Sequence, residues 1–484
     1  MRKHLKNIVL LSIVIISFIM HYKHLSKDII SIHSWRQTQT QSTINNFYEE
    51  DMNILNPRRN DRGSGDGIFR MEFPLMQWVV AGSYYVFGKS ILVTRLFMFG
   101  IGLLSVLGMY KLLLILFKKE LLAIIGAWAF NFSPSFFYYT INPLPDNLAL
   151  CCAIWGLVLF FKWTDSNKST QLILCGILLS IGALCKLPFI IYFIVPAVYL
   201  LRNIFRTQQY RNNLIQGLLV FIPLILPLLW YITVIPKWEG NGIVNGMFDN
   251  SINFSILLDY LIHNLISTLP ELLLNYGSVL FFIAGFYFLF KKKAFRNSHI
   301  LLIIALSFSA LAYFLFEINM IAKIHDYYLF PFYPLLFMLV GYGAFNIYTM
   351  EKKSFKVITI CLLCALPITC YIRMYERWVP ESPGFNRDLL EYKSELREII
   401  PNDALVIIGN DVSRYISFYY IDKKGWGFDN DNLTPDKLKT MIDNGAEFMY
   451  SDSRKVDSNE LITPHLDELI LKKGSIKVFR LKHL

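Results

Sequence analysis

Apolar runs of about 15–27 residues alternate with short charged runs along most of the chain. A helix crossing a bilayer core of about 30 Å needs roughly 20 such residues. The pattern predicts about eleven spans, at 5–22, 91–117, 121–139, 147–162, 170–185, 187–201, 214–235, 273–290, 299–317, 327–348 and 355–372. Several carry proline, among them Pro188, Pro196, Pro223 and Pro227. A bundle tolerates these because neighbouring helices satisfy the freed carbonyls. The stretch 73–88 is too short to cross comfortably and reads as re-entrant or interfacial. Arg2, Lys3 and Lys6 open the chain, and no small-x-small cleavage site follows Met20. The first span therefore reads as a retained anchor with a cytoplasmic N-terminus.

Alternation then assigns every loop a side. The inside flanks hold seventeen basic residues, in the groups Arg2 to Lys6, Lys118–Lys119, Lys162 with Lys168, Arg202 to Arg211, Lys291 to Arg296, and Lys352 to Lys356. The same flanks hold three acids, Glu120, Asp165 and Glu351. Every inside loop obeys the positive-inside rule. Three long polar regions, 23–90, 236–272 and 373–484, fall outside, which suggests chemistry at that surface. The chain thus divides into a transmembrane domain, 1–372, and an extracytoplasmic domain, 373–484.

The second of these reads as a small α/β fold. Residues 404–409 form a buried strand pattern. Residues 434–444 open with Thr434-Pro435-Asp436, an N-cap followed by proline at the first helical position, and stop near Gly445. Strands are expected at 446–450 and 475–481, with a helix at 464–472 between them. Gly425-Trp426-Gly427 reads as a turn.

Composition agrees. Of 484 residues, 54% are hydrophobic and 17% charged, with a mean hydropathy of +0.42. That is too little charge for a soluble enzyme of this size, and too much apolar content for disorder. The net charge of +11 sits in the loop flanks, so it reports topology rather than nucleic-acid binding. All seven cysteines lie in or beside apolar segments, so neither a disulfide framework nor a zinc knuckle is expected.

Polar residues at the outer ends of spans carry the candidate chemistry. His33-Ser34-Trp35-Arg36-Gln37 begins a polar segment that reads either as an interfacial helix with a Trp anchor or as an active-site helix. Glu72 opens the 73–88 stretch, as an acidic cap or as a site carboxylate. Asp146 precedes the fourth span, where capping alone would explain it. Lys186 and Arg95 sit at outer edges where positive charge is disfavoured. Snorkelling explains both, and an anion such as a lipid phosphate is the functional alternative. His325-Asp326-Tyr327-Tyr328 opens the tenth span; an aromatic belt explains the tyrosines but not the His–Asp neighbours.

The order of these motifs resembles the GT-C lipid-phosphate-sugar-dependent glycosyltransferases, which include protein O-mannosyltransferases and the lipid A aminoarabinose transferase. The resemblance covers about 5–350. It rests on the Glu-x-Pro of Glu72 and Pro74, on Arg36, Arg95, Asp146 and Lys186, and on the Tyr- and Pro-rich run 327–334. The chain departs from the family where an Asp-Glu pair is usual in the first outer loop, reading His33-Ser34 instead. The base is then His33, Glu72 or Asp146, or activity has been lost.

The resemblance implies an α-helical polytopic plasma- or inner-membrane protein. It would move a sugar from a polyprenyl-phosphate donor to an acceptor hydroxyl on the extracytoplasmic face, with inversion. Arg95 and Lys186, with Arg36 third, are the expected ligands of the donor phosphate. His33, Glu72 and Asp146 are the expected catalytic groups. Trp35, Gln37, His325, Asp326 and Tyr328 are expected to touch substrate. No cofactor is implied beyond the lipid co-substrate, although a divalent cation near Glu72 and Asp146 is compatible. Expected partners are the polyprenyl-phosphate sugar, membrane lipids and a glycan, lipid or protein acceptor. Two alternatives remain at this stage: a flippase or transporter of a lipid-linked saccharide, and an inactive envelope-assembly subunit.

Overall fold

A computed structural model describes residues 2–63, 65–238, 242–248 and 252–482. It divides into two compact units. The first comprises residues 1–25, 71–73 and 94–375; the second comprises 26–70, 74–93 and 376–484. The second unit is therefore not the tail alone. It joins the first loop to the tail, whereas a cut near residue 372 assigns that loop to the membrane domain.

The first unit is helical. Nine helices of the described chain are long and apolar enough to cross a membrane, and three apolar helices are shorter, Glu120–Asn131, Ser169–Cys185 and Val279–Lys291. Each of the eleven expected segments overlaps one of these helices. The addition is Phe254–Leu273, inside the region read from sequence as the loop 236–272. Its mean hydropathy of 1.2 is the lowest of the nine, because Asp259, His263, Asn264 and Glu271 interrupt the apolar pattern. Residues 239–241 and 249–251 of that loop lie outside the described residues. Small residues set the closest helix packing. A Cβ at Gly343 would meet the Phe281 carbonyl oxygen at 1.9 Å, and one at Gly285 would meet that of Leu339 at 2.2 Å.

The second unit is built on a five-stranded sheet. Its strands are β1 (Leu405–Gly409), β2 (Lys424–Gly427), β3 (Phe448–Ser451), β4 (Leu466–Lys473) and β5 (Ile476–Leu481), in the order β2-β1-β3-β5-β4. β1 is parallel to β2 and β3, and β5 is antiparallel to β3 and β4. Alternation along β1 feeds two cores: Val406 and Ile408 face one, Ile407 the other. The helix Pro435–Asp443 begins as expected, with Thr434 Oγ1 accepting from the Lys437 N–H at 3.3 Å.

Two expectations are corrected here. The helix expected at 464–472 is instead a 3-10 turn, Thr463–His465, followed by strand β4. Leu466, Leu469 and Ile470 have helical spacing, but register shifts between Leu466 and Leu469 and between Leu469 and Leu471 let a strand carry it. Gly474 at positive φ then closes the β4–β5 hairpin. Gly425-Trp426-Gly427 is strand β2, not a turn. Gly425 has φ +150°, and a Cβ there would lie 1.9 Å from the Val406 oxygen. The glycine is demanded by close strand pairing rather than by a change of direction.

The first loop completes this unit. The Gly425 N–H donates to the Asn60 oxygen at 3.1 Å, and the Arg62 N–H donates to the Gly425 oxygen at 2.7 Å, so residues 60–62 cover the β2 edge. Trp426 Nε1 donates to the Gly63 oxygen at 2.8 Å, and the Tyr420 hydroxyl donates to the Ile29 oxygen at 2.7 Å.

Candidate active site

In the first unit one chain break places the central cation. The helix Ser169–Cys185 ends at Lys186, and Pro188 sits in the first turn of the segment that follows, where its missing N–H costs nothing. Lys186 is left extended, at φ −157° and ψ 111°, and a 3-10 turn, Leu187–Phe193, follows. Its own helix approaches Pro145–Ser166 closely one turn earlier, where a Cβ at Gly182 would meet the Ala149 oxygen at 3.2 Å. That contact brings Lys186 to Asp146.

Asp146 is not the cap of its helix. Leu144 holds the N-cap position without a side-chain cap, Pro145 is the first helical residue and Asp146 the second. The Asp146 carboxylate is 1% exposed and lies 3.8 Å from Lys186 Nζ. Glu72 is clamped into the same place by its neighbours. The Phe73 N–H donates to the Leu184 oxygen at 3.0 Å, and Trp230 Nε1 donates to the Met71 oxygen at 2.9 Å. Lys186 Nζ donates to Glu72 Oε1 at 3.0 Å. Both side chains of that pair are at least nine-tenths buried.

Two aromatic rings flank the ammonium, Tyr328 at 4.6 Å from its centroid and Tyr327 at 5.9 Å. They come from a 3-10 turn, Asp326–Phe332. That turn is tied down by the Tyr139 hydroxyl, which donates to Asp326 Oδ1 at 2.7 Å, and by the Tyr192 hydroxyl on the Pro331 oxygen at 2.8 Å. Tyr139→Phe leaves a buried carboxylate short of a donor. A loss of about 1–3 kcal/mol is expected, read as a lower thermal midpoint in detergent with the helical signal intact. His325 donates from Nδ1 to the Met320 oxygen at 2.5 Å, which leaves Nε2 as its acceptor nitrogen. Burial lowers its pKa. The two neighbours His325 and Asp326 thus each have a partner of their own.

Arg95 is 1% exposed, and its Nη1 donates to the His24 carbonyl at the end of the first helix. Among the described residues no group of three or more His, Cys, Asp and Glu is arranged to hold a metal ion.

The first-loop candidates belong to the second unit. His33 is left-handed, at φ 54°, and precedes the helix Ser34–Glu49, its carbonyl accepting from the Arg36 and Gln37 N–H groups. Arg36 is buried and donates to Gln39 Oε1 at 2.5 Å. Gln37 Nε2 donates to the Ile32 oxygen at 2.9 Å. Trp35 packs on the sheet core beside Ile29 and Tyr420.

The structure thus gathers Glu72, Asp146, Lys186 and Tyr328 from the sequence candidates. It adds Tyr327, Tyr139 and Glu317. Glu317 follows the helix Ser298–Phe316 and is 7% exposed. Burial pushes its carboxyl up to about 7, against the opposing pull of Lys186. An isolated acid after an apolar run carries no motif, and only its burial singles it out.

Residues 72–231, about a third of the chain, match the model of the dolichyl-phosphate-mannose-protein mannosyltransferase family. That segment contains Glu72, Asp146 and Lys186. No curated protein sequence matches the chain. Among solved structures, ArnT from Cupriavidus metallidurans in the apo state superposes with a TM-score of 0.65 at 13% identity, covering 99% of this chain and 98% of that one. This is the GT-C fold. The same enzyme bound to undecaprenyl phosphate gives 0.63 at 12% identity, covering 98% and 97%. A second GT-C structure is the oligosaccharyltransferase AglB from Archaeoglobus fulgidus, in complex with an inhibitory peptide and a dolichol-phosphate. It gives 0.53 at 12% identity, covering 93% of this chain and 70% of that one. The likeness to ArnT runs the length of both chains.

Proposed function

We propose that this protein is a membrane glycosyltransferase that takes a sugar from a polyprenyl-phosphate donor and passes it, with inversion, to an acceptor hydroxyl. The observation that carries this reading is Lys186, buried between Glu72 and Asp146 over two tyrosine rings in a GT-C frame. Solved structures of that fold include one bound to undecaprenyl phosphate and one in complex with a dolichol-phosphate. The basic flanks that precede residue 254 support a cytoplasmic N-terminus, with Glu72, Asp146 and Lys186 on the opposite face. Nucleotide sugars are cytoplasmic, so a lipid-borne donor fits that side.

The chemistry follows from the pairings. The sugar–phosphate C1–O bond breaks as the acceptor oxygen forms its bond to C1. The electron pair goes to the phosphate, which leaves as a monoester. Negative charge grows on that oxygen, and a fixed ammonium stabilises the transition state more than the ground state. A phosphate that draws Lys186 towards itself weakens the 3.0 Å bond to Glu72. The carboxylate so released accepts the acceptor proton. Asp146 keeps Lys186 in place, and Tyr327 and Tyr328 offer faces for the sugar ring.

Membranes incubated with a radiolabelled polyprenyl-phosphate sugar pool test the reading. Label appearing in a non-donor glycan, lipid or protein fraction supports it. Label that crosses the bilayer without transfer marks a flippase, and neither event marks an inactive subunit. Glu72→Gln should slow transfer by about 10²–10⁴-fold while His33→Ala retains it. The opposite ranking in the same assay moves the base to His33.

A further inference from the structure

Glu317 has no part in the mechanism above. Its Oε2 is buried and has no hydrogen-bond partner among the described residues. It stands at the start of the short helix Ile318–Ile321, yet it caps no backbone N–H there. Its surroundings place it beside Lys186. The helix Ser298–Phe316 packs on Leu187–Phe193, the segment that leaves Lys186. One turn before Glu317, the Tyr313 hydroxyl donates to the Tyr328 oxygen at 2.9 Å, and the Tyr328 ring lies under the ammonium. Lys186 is the cation that acts on the Glu317 carboxyl, and Tyr313 feels both Glu317 and Asp146. Other titratable groups on the elements packed around this corner are Tyr192, Asp259, Tyr260, His263, His299, His325, Asp326 and Tyr327. Of these, Asp259 pairs with Lys323 at 2.6 Å near the surface.

The charge balance gives this residue a task. Lys186 is already shared by two carboxylates. A third ionised carboxylate would add to the negative charge that an incoming phosphate meets. A neutral acid would instead offer one O–H donor. We propose that Glu317 is a proton-dependent positioning residue for the lipid phosphate. Protonated, it donates a hydrogen bond to a phosphate oxygen; ionised, it repels that oxygen. The proposal rests on the reading that this site takes a polyprenyl phosphate. The sign is fixed: affinity is highest below the pKa of Glu317 and falls as pH rises through it.

The test is undecaprenyl phosphate binding to the full-length protein in lipid nanodiscs at pH 6 and pH 8.5, with inorganic phosphate as competitor. Wild-type affinity should fall by roughly 10- to 30-fold at the higher pH, following the neutral fraction of the acid. The lipid phosphate has its own ionisation near pH 6, common to every variant. Glu317→Gln should therefore lose most of this ratio while still binding, and Glu317→Ala, which removes the same charge, should lose it too. If both variants keep the wild-type ratio, the role of Glu317 is overturned. If folded wild type binds at neither pH, the lipid-phosphate reading fails instead. Competition by millimolar inorganic phosphate would show that the site selects phosphate without the lipid, and no competition that the polyprenyl chain is required.

Discussion

Lys186→Ala reduces glycosyl transfer by about 10³-fold or more. Removing one preorganised donor to a developing oxyanion costs that order elsewhere, and in the proposed mechanism Lys186 meets the leaving phosphate as a full charge. The substitution has a second consequence. Glu72 and Asp146 are left buried with their cation gone, and breaking such a pair costs about 3–5 kcal/mol. Activity and folding are separated by the triple variant Lys186→Ala, Glu72→Gln, Asp146→Asn, which removes the orphaned charges. It should restore the elution profile of wild type while remaining inactive. Lys186→Arg keeps the charge but spreads it over a planar fork, and should retain partial activity. Transfer rates normalised to monodisperse protein decide the matter. A Lys186→Ala enzyme within tenfold of wild type would remove the phosphate assignment.

The second large effect is structural. Gly425→Ala should destabilise the second unit by about 3 kcal/mol or more, the range of substitutions that overfill a packed site. Its added carbon would lie 1.9 Å from the Val406 oxygen and 2.7 Å from the Val406 nitrogen, both backbone atoms that cannot step aside. Shifting β2 instead would break its bonds to Asn60 and Arg62, so the first loop loosens with the sheet. Gly445→Ala is the control. It has φ +101°, but its Cβ meets only Leu405 Cδ1 at 3.6 Å, so the expected cost is about 1 kcal/mol. Limited proteolysis of the tail across a temperature series should rank the two. Equal protease resistance in Gly425→Ala and wild type would contradict the strand assignment.

The two glycine sites also show where sequence reading stops. Period and length suffice for the membrane helices, because each apolar run is close to the length that a bilayer requires. Phe254–Leu273 escapes that rule, since its polar residues lower its hydropathy to the least of the nine. In the tail, β1 and the Thr434 cap are visible because burial and capping are local. β2 is not, because a glycine needed for close pairing and a glycine needed for a turn look alike until the neighbouring strand is known. β4 hides behind helical spacing that its bulges undo.

The site divides in the same way. Glu72, Asp146 and Lys186 stand out because each is a charge at the edge of an apolar run, and a charge there needs a reason. Their mutual distances come from elements far apart in sequence, through Gly182 on Ala149, and Trp230 on Met71. Glu317 obeys the same edge rule but has no companions in sequence, and it is the helix before it that packs on Leu187–Phe193 and bonds to Tyr328. Arg95 reads as a phosphate ligand by position, and the structure places it buried with Nη1 on the carbonyl of His24.

The most direct test is a cryo-electron microscopy structure of the full-length protein with undecaprenyl phosphate. The phosphate should lie within about 4 Å of Lys186 Nζ, the reach of an ion pair, with Tyr327 and Tyr328 beside it and Glu72 released. A phosphate bound elsewhere, with Lys186 still held on Glu72, would contradict the account.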